Sequence, residues 1–214
     1  MKNSSNSIRR ADSVRFQTVG GRPPPREAPL QPIAVPRLTG EIVSTRDGRT
    51  LLLRDIHPDD VDALRRGFAT LTPEEIRLRF LHPLTDLPAQ MAKQFCDIDT
   101  QHAMAIVLLD PDNTAEPTIR AVARAYIDPA TLAAEFALIV QHTFAGQGLG
   151  TLLMHRLIEA CRKRGAVEIW GDVLNENGAM LELCDNLGFE RHAAFHDPGI
   201  IRVTLPLGGA GSAK

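Results

Sequence analysis

A mixed α/β fold, with a mostly antiparallel central sheet flanked by helices, is the class this sequence predicts, and three observations carry it. The run GQGLG at residues 146–150 follows an apolar strand and opens a helix. It arrives late, after stretches that read as antiparallel strands. Too little chain follows it to complete a doubly wound sheet, so a dinucleotide fold fails on position although Glu168 lies near the offset of a ribose-binding acid. No G-x-x-x-x-G-K-S/T string occurs, which excludes a Walker A loop.

Residues 1–39 are rich in Ser, Arg and Pro, with Pro23, Pro24 and Pro25 in a row, and cannot bury enough apolar surface to offset chain entropy. A flexible leader is expected there. No apolar stretch follows Arg9 and Arg10, so the start is neither a secretory nor a twin-arginine signal, and Asp12 argues against a transit peptide. The domain is expected over residues 40–207, opening with a hairpin in which residues 41–45 and 50–54 flank an Asp47-Gly48 turn.

His57 then precedes Pro58, Asp59 and Asp60, read as the first turn of a helix running through Val61, Leu64 and Phe68. Thr72, Pro73 and Glu75 form a capping box for a second helix carrying Ile76, Leu78 and Phe80. A short helix over residues 88–95, then strands over 104–109 and 118–126, lead to the strand holding Glu135. Tyr126, the sole tyrosine, reads as an ordinary strand aromatic.

Beyond the glycines, Leu149, Leu152, Leu153, Leu157, Ile158 and Cys161 recur at helical spacing, and Gly165 is placed to end that helix. A strand and a short helix from Asn177 follow. A closing hairpin is expected around Asp197, Pro198 and Gly199, and a disordered tail over 208–214.

Hydrophobic residues at 43% and a net charge of −2 describe an ordinary globular chain and do not invite nucleic acid. The densest basic cluster, Arg162, Lys163 and Arg164, suits a helix C-terminus. Cys96, Cys161 and Cys184 are far apart and form no CxxC pair, so neither a disulfide framework nor a zinc site is indicated. His192 and His196 alternate on one strand without acidic or cysteine partners, and no metal is expected. No run of 18 apolar residues occurs, so no membrane span is expected, and a reducing, cytoplasmic setting fits.

The glycine turn points to an anion. A helix start leaves backbone N–H groups unpaired and carries partial positive charge, and Gly146, Gly148 and Gly150 let a phosphate approach closely. The whole stretch, AEFALIV with its Glu135, then AGQGLG, then Asn177 followed by MLELCDNLGF, resembles the GNAT superfamily of acyl-CoA-dependent N-acyltransferases. Upstream, RDGRTLLLRDIHPDDVDALRRGFATLTPEEIRLRFLHP and FCDIDTQHAMAIVLLD resemble the bacterial Pat-type protein lysine acetyltransferases.

The resemblance implies acetyl-CoA as acyl donor, held by Ala145, Gly146, Gln147, Gly148, Leu149, Gly150 and Thr151, with Asn177 touching the pantetheine. It implies that the backbone of Leu138, Ile139 and Val140 pairs with the pantetheine arm in a splayed strand, one N–H polarising the thioester. Glu135 stands where many GNAT enzymes carry their general base, and a base is needed because a lysine ammonium has a pKa of about 10.4. Cys184 stands where many carry a tyrosine general acid; packing on the helix face is its other reading. Ala145 replaces the family's Gln or Arg. The first helices are implied to wall the acceptor site. The acceptor expected is a protein lysine, with a small amine or amino acid as the enzymatic alternative and a non-catalytic acyl-CoA sensor as the alternative from another class. Oligomeric state is left open, a homodimer included.

Overall fold

The computed structural model describes residues 40–110, 116–194 and 197–208. The leader, His196 and the tail beyond Gly208 lie outside these residues. Strands β1 (Glu41–Ser44), β2 (Thr50–Asp55), β3 (Ala103–Leu109), β4 (Ile119–Ile127), β5 (Ala133–Val140), β6 (Glu168–Leu174), β7 (Glu190–Ala193) and β8 (Ile200–Pro206) form one sheet. Its order is β1-β2-β3-β4-β5-β6-β8-β7. Every described pairing is antiparallel except β5 with β6. That single parallel step is the consequence of the long helix between them, since a parallel pair needs a crossover.

Helices α1 (Val61–Ala69), α2 (Pro73–Phe80) and α3 (Ala89–Cys96) cover one face of the sheet, and α4 (Leu149–Lys163) and α5 (Gly178–Asn186) cover the other. Alternation along the strands builds both cores: Ala105, Val107 and Val122 face α1–α3, while Met104, Ile106, Ala123, Phe136 and Leu138 face α4 and α5. The buried side of α4, Leu149, Leu153, Leu157, Ile158 and Cys161, follows the predicted spacing. Two glycines set how closely layers approach. A Cβ on Gly67 would lie 2.2 Å from the carbonyl oxygen of Ile119, so α1 rests directly on β4. A Cβ on Gly171 would lie 2.7 Å from the Phe136 ring.

Local signals mostly act as expected. Thr72 Oγ1 accepts from the Glu75 N–H at 3.2 Å while the Glu75 carboxylate accepts from the Thr72 N–H at 2.7 Å, and Pro73 fills the first helical position. The segment at Pro58 differs. Residues Pro58–Asp60 form a 3₁₀ turn rather than the first turn of α1, because the buried Asp60 turns back to accept from the His57 N–H at 2.7 Å. Its carboxylate also takes both terminal nitrogens of Arg54, each at 2.7 Å. Burial works against the charge, but Arg54 and the His57 N–H outweigh it and hold Asp60 below the usual carboxylate range.

Candidate active site

At the end of β5 the chain makes a 3₁₀ turn over His142–Phe144, passes through Ala145 in extended conformation, and enters α4. Gly146 and Gly148 adopt φ of +72° and +81°, a region that side chains resist, and Gly148 is the N-cap with no side chain satisfying the first turn. The N–H groups of Leu149, Gly150 and Thr151 therefore have no partner within the helix, and Thr151 itself is exposed. Gly150 has a different role: a Cβ there would meet Leu183 at 3.2 Å, so it admits α5 against α4.

The β1–β2 turn grips this loop. Arg46 Nη1 donates to the Gly146 carbonyl at 3.3 Å and the Asp47 N–H donates to Gln147 Oε1 at 3.1 Å. Arg49 Nη2 donates to the Thr143 carbonyl at 2.7 Å while its guanidinium lies 3.8 Å from the Phe144 ring centroid. The Arg46 guanidinium also reaches within 3.8 Å of where a Gly148 Cβ would stand. A cation thus sits beside the cradle although Ala145 supplies none. No sequence signal ties Arg46 to a loop 100 residues away.

The strand before the cradle splays. β5 pairs with β6 only through Ala133↔Glu168, Ala134↔Ile169 and Glu135↔Trp170, so the β6-facing edge at Leu138, Ile139 and Val140 is left open while their other edge pairs with β4. The Phe136 ring packed on Gly171 marks the parting point. Helix α2 straddles the gap. Glu75 at its start accepts from the His142 N–H at 2.5 Å and meets the His142 ring at 3.0 Å, tying it to the end of β5. Arg77 on its next turn pairs with Glu176, beyond the end of β6.

Glu135 lies where the two strands part, on the sheet face shared with Tyr126 and Trp170. It is half-buried. Burial, then the nearby Asp172 carboxylate, push its pKa above the ordinary value, while Arg202 and Arg79 pull back. Arg202 is largely spoken for, donating to both Asp172 oxygens at 2.8 and 2.7 Å and stacking 4.2 Å above Trp170. Tyr126 is 37% exposed and directly opposite Glu135, a neighbour the ordinary-aromatic reading did not foresee.

Asn177 caps α5, its Oδ1 accepting from the Met180 N–H at 3.2 Å, which leaves its amide NH₂ for other contacts. Cys184, counted as a candidate acid, has 0% exposure and sits in the core between α5 and the sheet. Burial pushes its thiol up to about 12, with Asp185 adding to the shift. So placed, it packs within the core, as its packing reading expects. His192 binds Thr204 Oγ1 through Nε2 at 2.9 Å. Among the described residues no group of three His, Cys, Asp or Glu side chains converges as a metal site, and no helix is long and apolar enough to cross a membrane.

Comparison with known proteins identifies the family and the fold. Residues 72–189, more than half of the chain, match the model of the Acetyltransferase (GNAT) family. Acetyltransferase PA5475 of Pseudomonas aeruginosa is 29% identical over 148 residues, covering 69% of this chain and 79% of that protein. A second relative, the [ribosomal protein bS18]-alanine N-acetyltransferase of Escherichia coli K12, is 36% identical over 69 residues, 32% of this chain and 45% of its own length. In three dimensions the GNAT domain of S. lividans PAT superposes with a TM-score of 0.69 over 78% of this chain and 96% of that one, at 24% identity. A cAMP-binding acyltransferase from Mycobacterium smegmatis gives 0.53 over 78% of this chain and 48% of that one, also at 24% identity. With its family model spanning more than half of it, the chain belongs to the GNAT family of acetyltransferases.

Proposed function

We propose that the chain transfers acetyl from acetyl-CoA to a primary amine by direct attack in a ternary complex. The observation that carries this reading is the fork between β5 and β6, with Glu135 at its closed end and the glycine cradle at its open end. The N–H groups opening α4, with Arg46 beside them, hold the diphosphate. The unpaired edge of Leu138, Ile139 and Val140 takes the pantetheine amides as an added strand, and one N–H steadies the oxyanion of the attacked thioester. The Asn177 amide is a further pantetheine contact.

Glu135, its pKa raised, accepts a proton from the acceptor ammonium and frees the nitrogen lone pair. The nitrogen then bonds to the acetyl carbon, the C–S bond breaks, and the remaining excess proton on nitrogen leaves with the CoA sulfur. A thiolate leaves readily, so no role is assigned to Cys184 in this step. The raised pKa of Glu135 favours catalysis over the non-catalytic sensor reading, for which Ala145 and the buried Cys184 are the features that speak.

A protein lysine is the acceptor that the Pat-type resemblance favours, and a small amine or amino acid is the alternative. The second reading gains a specific observation from the face beneath α1–α3, developed below. The test of the common reading is amine-dependent release of CoA thiol, measured against protein and small-molecule amines in parallel; thiol release unaffected by any amine would refute it.

A further inference from the structure

Between α1–α3 and the sheet lies a cavity of about 50 Å³, several times the roughly 10–15 Å³ that one water needs. Its walls are apolar, with Phe68, Phe80, Phe95 and Ile139 prominent, yet Arg79 and Arg124 reach into the same space. Arg79, Phe80 and Phe95 are half-buried, so the cavity opens along α2 and α3, whereas Arg124 is only 9% exposed.

Neither guanidinium forms an ion pair among the described residues. Arg124 donates to the Phe95 carbonyl at 2.9 Å and stacks 4.6 Å from the Phe95 ring centroid, and Arg79 lies 4.9 Å from that of Phe80. No carboxylate among the described residues forms an ion pair with either, whereas the third arginine lining the cavity, Arg120, has Asp110 at 3.5 Å. Two like charges near each other in an apolar wall are unfavourable unless an anion joins them. Burial draws Arg79 down to about 10, and burial with Arg79 as neighbour draws Arg124 down to about 9, both signs of that unmet charge. The open end is also the catalytic end: Arg79 is close enough to Glu135 for each to shift the other, and Arg124 pairs in register with Ala137, two residues from Glu135.

We propose that this cavity is a subsite for a carboxylate carried on a small apolar body and presented by the amine acceptor, as in an apolar amino acid. The guanidiniums take the carboxylate, the phenylalanines take the apolar side chain, and the amine is left toward Glu135. Its place in catalysis rests on the acetyltransferase reading above, but the binding itself does not.

The test therefore begins with binding. Wild-type protein is titrated calorimetrically with N-acetylleucine and with N-acetylleucinamide, which differ only in the carboxylate. The acid is expected to bind about tenfold or more tightly than the amide, the scale of a charge-assisted contact. Arg79→Met should bring the two within twofold, and Arg79→Lys should keep part of the preference, which separates lost charge from lost fold. Equal affinity of acid and amide in the wild type, or binding of neither, overturns the subsite. A titration with acetyl-CoA on the same preparation tests the cradle separately: its failure beside a retained acid preference would refute the transferase reading and leave the subsite standing. Succinyl-CoA binding about tenfold tighter than acetyl-CoA would place the carboxylate on the donor and overturn its assignment to the acceptor.

Discussion

Replacing Glu135 by Gln removes the charge and keeps the shape, so it isolates the proton acceptor. An amine of pKa about 10.4 is neutral in roughly one molecule in a thousand at pH 7.4. General-base catalysis contributes about 10² to 10⁴ in rate, which matches that deficit. Turnover at neutral pH should therefore fall by about 10³-fold, while acetyl-CoA affinity, set by the distant cradle, stays within about twofold. The pH profile adds a second readout. Because burial raises the Glu135 pKa, the acid limb of the wild-type profile should lie above the ordinary carboxylate range, and the variant should lack it.

Stability should move the other way. A group whose folded pKa is raised contributes stability that is fully present below its unfolded pKa and lost as pH rises through the folded value. At pH 7 the fold carries a half-buried charge that Gln relieves, so Glu135→Gln should raise Tm at pH 7 and leave it nearly unchanged near pH 4. Thiol release under saturating acetyl-CoA and thermal melts at both pH values check this. Turnover within twofold of wild type, with the acid limb intact, would refute the assignment of Glu135.

Four further perturbations test the surrounding structure. Gly148→Val places a β-branched side chain at φ +81° in the middle of the cradle and should abolish detectable acetyl-CoA binding by calorimetry while circular dichroism shows a folded chain. Arg46→Ala should weaken acetyl-CoA binding by about three- to tenfold, an effect that shrinks in high salt. Gly67→Ala forces α1 off β4 and should lower stability by about 1–3 kcal/mol or more in urea melts, since the clashing partner is backbone. Cys184→Ala should lower stability modestly yet keep turnover within about twofold; a selective loss of turnover in a folded variant would restore the acid role.

What the sequence revealed and what it hid divide along one physical line. Signals confined to a few residues were legible: the Thr72–Glu75 capping box, the short helix from Asn177, the glycine turn opening a helix at 146–150, and the buried stripe of α4. Each is decided by neighbours within a turn or two of the helix. Asp60 shows the limit, because its turning back onto the His57 N–H goes with a 3₁₀ turn where a helical start was expected. Arg46 against Gly146, α2 bridging His142 and Glu176, and the meeting of Arg79 with Arg124 all join distant segments. Periodicity and spacing carry no record of such contacts. Tyr126 beside Glu135 was hidden for the same reason, since only the β4–β5 register puts them together.

On the proposed function, this fork binds acetyl-CoA and delivers its acetyl group to an amine. The decisive experiment is calorimetric titration with acetyl-CoA, followed in the same cell by thiol detection before and after adding an amine panel. Binding at one site per chain with thiol release that rises only when amine is present is the predicted result. Absence of acetyl-CoA binding by a folded wild-type chain would contradict it.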